Sequence, residues 1–240
     1  MNGLLLADKP SGWTSHDAVA LLRRRLPRGV KVGHAGTLDP MATGVLVLLV
    51  GAATRAAGRL LGLPKAYSGR LRLGVETDTG DMEGKVLDEH SVPGLSEADL
   101  RAVFEKHLGL IEHRIPRYSA VKHQGRPLYE YARAGIATPE KTRRVRVMEW
   151  RLDAWEPPEA AFFLRCSSGT YVRTLAESAG RLIGCGGALS ALRRQEPAMP
   201  PIDEKLTHDV VLLSQQGMSQ RAIARALHIS RNTVRHILAG

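Results

Sequence analysis

Gly33-His34-Ala35-Gly36-Thr37-Leu38-Asp39-Pro40-Met41-Ala42-Thr43-Gly44 runs directly into Val45-Leu46-Val47-Leu48-Leu49-Val50. The first part is dense in residues that permit unusual backbone angles, so it reads as a loop. The second is an unbroken branched and apolar run, the pattern of a buried strand. Pro40 restricts the backbone of Asp39, the flanking glycines allow close approach to a ligand, and the buried strand anchors the loop's C-terminal end. Such a scaffold holds one reactive carboxylate rigidly. A carboxylate before proline is also an ordinary turn residue. On these grounds alone the two readings of Asp39 stand level.

Upstream, Leu4–Ala7 is a short strand closed by the turn Asp8-Lys9-Pro10-Ser11-Gly12. Thr14 or Ser15 then caps a helix with Ala18, Val19, Leu21 and Leu22 on one side, ended by Pro27-Arg28-Gly29. Downstream, residues 67–75 alternate as a strand, and Thr77-Asp78-Thr79-Gly80-Asp81 is an acidic turn. A helix starts at Ser96 and continues to about His107. Residues 114–135 read as an exposed loop leading into a helix near 129–133. Residues 145–155 and 161–166 read as strands, and 171–183 as a helix ended by Gly184-Cys185-Gly186-Gly187. Irregular interleaving of strands and helices points to an α+β domain.

Of 240 residues, 43% are hydrophobic and 24% charged, a globular mixture. The net charge of +10 suits a polyanionic partner, since each cation that meets a phosphate releases a counterion. Cys166 and Cys185 form no close pair, which speaks against a disulfide framework or zinc site, and a cytoplasmic setting is expected. The longest apolar stretch, residues 45–50, is too short to span a bilayer, so no membrane association is expected. No spacing of His, Cys, Asp and Glu suggests a metal.

The loop of residues 33–46 closely resembles the catalytic motif of the TruB family, the tRNA pseudouridine-55 synthases. Further segments agree in order: residues 8–15, Lys65-Ala66-Tyr67, Leu73-Gly74, 77–81, and Tyr118-Ser119-Ala120-Val121-Lys122 with Gly125, Tyr129 and Arg133. Gly169-Thr170-Tyr171-Val172-Arg173 and Gly184-Cys185-Gly186 with Leu192-Arg193-Arg194 complete the match, over residues 1–194. The resemblance implies a pseudouridine synthase fold with a mixed, largely antiparallel central sheet flanked by helices. It implies tRNA as substrate, no cofactor, and a base-flipping mechanism, with the chain expected to act as a monomer. By the same resemblance Asp39 is the nucleophile, attacking base or ribose, and Arg173 holds it as an oriented carboxylate. Tyr67 stacks on the flipped base, and its phenol is a candidate to move the base's carbon proton. Tyr171 and Leu192 match the remaining pocket positions, where core packing is the competing reading. His34 matches a residue that contacts the RNA loop the base has left. Lys9, Lys65, Lys122, Arg126 and Arg133 are candidate phosphate contacts as a group. The family's usual glutamine and second proline before Tyr118 are His113 and Ile115 here, a change expected to alter local packing only.

After Arg194 the resemblance stops. A catalytic domain over residues 1–195 is followed by a Pro-containing linker at 196–206 and a tail at 207–240, with no recognisable PUA-type domain or final family strand. Residues 208–216, 219–227 and 230–238 read as three short helices, forming a small all-α unit that resembles the helix-turn-helix of transposases and resolvases. Arg231, Asn232, Thr233, Arg235 and His236 would lie on its recognition helix, against duplex DNA. A packing unit or a translated junction is the plainer alternative. A DNA-binding protein carrying an inactive synthase-like domain is the second reading of the whole chain.

Overall fold

The structure is a computed structural model, and it describes residues 1–197, 211–212, 214–220 and 222–223. It divides into two units, Met1–Pro197 and Ala198–Gly240.

The first unit opens with β1 (Gly3–Lys9), α1 (Ser15–Arg24), β2 (Val32–His34) and β3 (Thr43–Val50). A 3-10 turn (Gly51–Ala56), α2 (Ala57–Leu61), β4 (Lys65–Leu73), β5 (Val75–Thr77) and β6 (Val86–Glu89) come after them. Next are α3 (Glu97–Glu105), β7 (Gly109–Arg114), β8 (Lys122–His123), β9 (Arg126–Pro127) and α4 (Leu128–Arg133). The unit closes with β10 (Thr142–Glu156), β11 (Glu159–Cys166), α5 (Val172–Ile183) and β12 (Gly187–Pro197).

Among the described residues, eight strands form one sheet in the order β1-β3-β12-β4-β11-β10-β7, with β2 also paired to β3. Only the β12–β3 pair is parallel, so the sheet is mixed and largely antiparallel, as expected. The anchoring strand is present as β3, where Leu46, Leu48 and Leu49 are buried. Both α1 and α3 begin with a reciprocal cap: Thr14 with Asp17, and Ser96 with Asp99. Each satisfies backbone N–H groups that the first turn leaves unpaired. Phe104 of α3 stacks on Trp150 of β10, with ring centroids 4.2 Å apart and planes 6° apart, and meets the edge of Phe162. Leu175, Ala176 and Ala179 of α5 bury against the same core.

Several expectations are corrected. The strand expected over residues 67–75 breaks at Gly74, whose φ of +85° only glycine adopts readily, and β5 begins beyond it. His34 belongs to β2 rather than to a loop, and residues 109–114 are β7. Ile115 and Ser119 are buried, so 114–135 is not uniformly an exposed loop. The largest departure is β12: residues 187–197 carry no strand in the sequence reading, yet they form the strand between β3 and β4.

In the second unit, residues 211–212 and 214–215 are helical and Gly217 turns the chain with φ +81°. The Ser219 hydroxyl then accepts from the Ala222 N–H, the N-cap expected there. The expected linker is corrected at its start, since residues 196–197 close β12; its remainder, the third helix and Arg231, Asn232, Thr233, Arg235 and His236 lie outside the described residues.

Candidate active site

Asp39 and Arg173, 134 residues apart in sequence, meet in a two-pronged ion pair. Arg173 Nε donates to Asp39 Oδ2 at 2.9 Å and Nη2 to Oδ1 at 3.1 Å. Both bonds are charge-assisted, and the planar fork fixes the carboxylate's orientation as well as its position. Arg173 lies in the first turn of α5, with its side chain 4% exposed, while the Asp39 side chain is 34% exposed. The carboxylate can therefore be reached from outside while its holder cannot. The rest of the guanidinium is committed to the Thr79 carbonyl (2.6 Å) and the Tyr118 carbonyl (3.0 Å). A second carboxylate, Asp81, sits 3.6 Å from Arg173 Nε and is itself fixed by the Thr79 hydroxyl and the Glu83 N–H.

The Asp39 loop is held from three sides. Ser15, at the start of α1, accepts from the Leu38 N–H at 2.8 Å. Lys9 donates to the carbonyls of Pro10, Trp13 and Pro40. Arg194 of β12, 3% exposed, donates to the carbonyls of Gly36 (3.0 Å) and Val45 (2.7 Å). Each partner is a backbone group, so these side chains set the path of the loop.

Tyr67 on β4 lies directly opposite Arg194 in the β4–β12 register. It is buried, and burial, reinforced by Cys166, pushes its phenol up to about 12 despite the nearby Arg194 charge. The hydroxyl therefore stays protonated at neutral pH. His34 is half-buried; burial, then Arg194, pulls its pKa below the usual histidine value. Its Nδ1 has no hydrogen-bond partner among the described residues. Tyr171 caps α5, two residues from Arg173, and Leu192 of β12 lines a cleft with Ser11, Met41 and Thr43.

The five expected phosphate contacts divide. Lys122, Arg126 and Arg133 are exposed on the β8–β9 hairpin and α4. The hairpin turns through Gln124 (φ +48°) and Gly125 (φ +84°), the positive angles a tight two-residue turn requires. Lys9 and Lys65 are placed otherwise. Lys9 is 1% exposed and spent on carbonyls, and Lys65 is buried with its ammonium on the carbonyls of Leu61 and Leu63. Burial, helped by Arg194, lowers Lys65 to about 8. Both are structural lysines in this fold.

Sequence reasoning assigned no role to Thr79, Asp81, Tyr118 or Arg194. The matched motifs contained all four, but two of them act through carbonyls, which residue type does not reveal. The sequence suggests only a packing role for His113. Its Nε2 accepts the Tyr171 N–H at 2.9 Å and its ring lies nearly parallel to that of Tyr171, 10° apart.

A mixed sheet presenting an arginine-held aspartate from a loop is the framework of a pseudouridine synthase, and the comparisons agree. A solved Cbf5–Nop10–Gar1 complex aligns with TM-score 0.62 and 27% identity, covering 92% of this chain and 58% of that one. The model of the TruB family pseudouridylate synthase (N terminal domain) matches residues 23–172. The tRNA pseudouridine synthase B of Opitutus terrae is 44% identical over 211 residues, 88% of this chain and 87% of that protein. Its counterpart in Nitratidesulfovibrio vulgaris (strain Hildenborough) is 44% identical over 223 residues, 92% of this chain and 73% of that one. The chain belongs to the TruB family. A Homeodomain-like domain model matches residues 201–240.

Proposed function

We propose that this chain is a tRNA pseudouridine synthase that isomerises the T-arm uridine at position 55. The observation that carries the reading is the fork of Arg173 on Asp39, which presents one oriented, reachable carboxylate. In the reaction the bond from ribose to the base nitrogen breaks, the base turns, and ribose rejoins through carbon-5. The carbon-5 proton leaves and the freed nitrogen gains one, so neither redox change nor cofactor is required. Asp39 is the nucleophile. Tyr67, held as a neutral phenol, supplies a stacking surface for the extruded base and is poorly suited to act as a phenolate. His34, Tyr171 and Leu192 line the remainder of the base site, and Lys122, Arg126 and Arg133 contact RNA phosphates from the hairpin. The enzyme works as a monomer in the cytoplasm.

Tritium release from carbon-5-labelled uridine in a T-arm stem-loop tests this. The parent should release tritium, and Asp39→Ala should lower release by at least about 10⁴-fold while still binding RNA. Release unchanged in Asp39→Ala would refute the assignment.

The homeodomain-like match supports a second role for the tail. In this reading the tail, residues 207–240, binds duplex DNA through Arg231, Asn232, Thr233 and Arg235. That the first unit is an inactive passenger is not favoured, because Asp39, Tyr67 and Arg173 are all in place.

A further inference from the structure

Between Asp17 and Glu76 the sequence contains one carboxylate, Asp39, while lysine and arginine recur throughout. The fold gathers part of that excess into one cleft. Arg23 and Arg24 end α1, Arg28 and Lys31 sit on the turn into β2, and these four line the cleft with Thr54 of the 3-10 turn. Arg55 is the next residue after Thr54. All five cations are exposed, and none pairs with a carboxylate among the described residues. Elsewhere on the surface Arg72, Arg101 and Arg151 each have an acidic partner. Unneutralised cations crowded into a concavity repel one another and raise the local potential for anions.

Strand β2 joins the cleft's lining to the active-site loop. Lys31 and His34 are three residues apart, roughly 10 Å along a strand, and His34 leads into the Asp39 loop. No aromatic residue lines the cleft, so it offers cations and no platform on which a base could stack. That composition suits sugar–phosphate backbone. Leu26 and Val30 at its wall are only half-buried, yet no large apolar side chain of residues 23–33 projects as a membrane wedge would.

We infer that this cleft is a second RNA contact, which takes the phosphate backbone of the strand flanking the uridine held at Asp39. The inference rests on the RNA reading above and extends it to a surface outside the catalytic residues. Its contribution is affinity and register, not base identity.

The test uses the full chain and the triple variant Arg24→Glu/Arg28→Glu/Lys31→Glu, with Arg24→Gln/Arg28→Gln/Lys31→Gln alongside. Fluorescence anisotropy with full-length tRNA across a KCl series gives Kd, and tritium release gives kcat and KM. The reversal variant should bind at least about tenfold more weakly at low salt, and its log–log salt slope should fall by about 3. KM should rise with Kd while kcat is unchanged. The neutral variant should move the same way by less, and it reads the cleft if circular dichroism shows the reversal variant misfolded. Parental Kd and slope in a folded variant would overturn the inference. So would loss of co-sedimentation with phosphatidylserine vesicles at unchanged tRNA Kd. A parent that releases no tritium would refute the catalytic reading instead, and the Kd comparison would still decide the cleft.

Discussion

Tyr171 depends on a neighbour whose state can be titrated. The His113 ring can accept the Tyr171 N–H only while that nitrogen carries no proton. Burial, with Arg143 and Arg114 nearby, pulls His113 from 6.5 down to about 4. Between those values the unfolded chain binds the extra proton and the folded chain does not. The stabilisation from His113 is therefore complete above pH 6.5 and is lost as pH falls toward 4. Across that window it amounts to at most about 3 kcal/mol. His113→Gln keeps an acceptor that does not titrate, so urea midpoints measured from pH 7 to 4 should fall less steeply than in the parent. Identical slopes would remove His113 from the linkage. The meeting of Asp39 and Arg173 was legible at this scale because both fall in ordered motifs. The fate of Lys9 and Lys65 was not, because a buried ammonium and an exposed one look alike in sequence and only the surrounding carbonyls distinguish them.

Among the elements, β12 was the one the sequence concealed. Its alternation is broken by a register shift between Leu189 and Ala191, and its buried residues include Arg194, a residue type that ordinarily marks a surface. β3 was plain, because a strand covered on both faces is apolar throughout. The two meet at Gly44, opposite Arg194, with φ +98°. A Cβ there would stand 2.0 Å from the Arg194 carbonyl oxygen. Gly44→Ala must therefore either displace β12 or break the pair. It should cost about 3 kcal/mol or more in a denaturation experiment, and it should reduce tritium release because Arg194 also braces the Asp39 loop. A stable, fully active Gly44→Ala protein would show that the β3–β12 contact is dispensable.

For the molecule as a whole, residues 1–197 contain the described sheet, core and site, and the family-model match at residues 23–172 lies within them, while the aligned stretches of the relatives run beyond them. The chain truncated after Pro197 should keep kcat within about threefold of the full chain. It should also lose any mobility shift of duplex DNA that the full chain gives. Loss of turnover from a folded truncation would assign the tail a part in catalysis. The break in composition after Arg194 falls inside β12, because the contribution of residues 187–197 to the first unit depends on pairing with segments more than a hundred residues earlier. During synthesis β3 and β4 leave the ribosome long before the strand that lies between them. The nascent chain consequently carries two unsatisfied strand edges through most of its elongation, and Asp39 waits for both Arg173 and Arg194 to be made. Such late closure of non-local pairings makes folding slow and leaves the incomplete sheet dependent on being shielded from other chains.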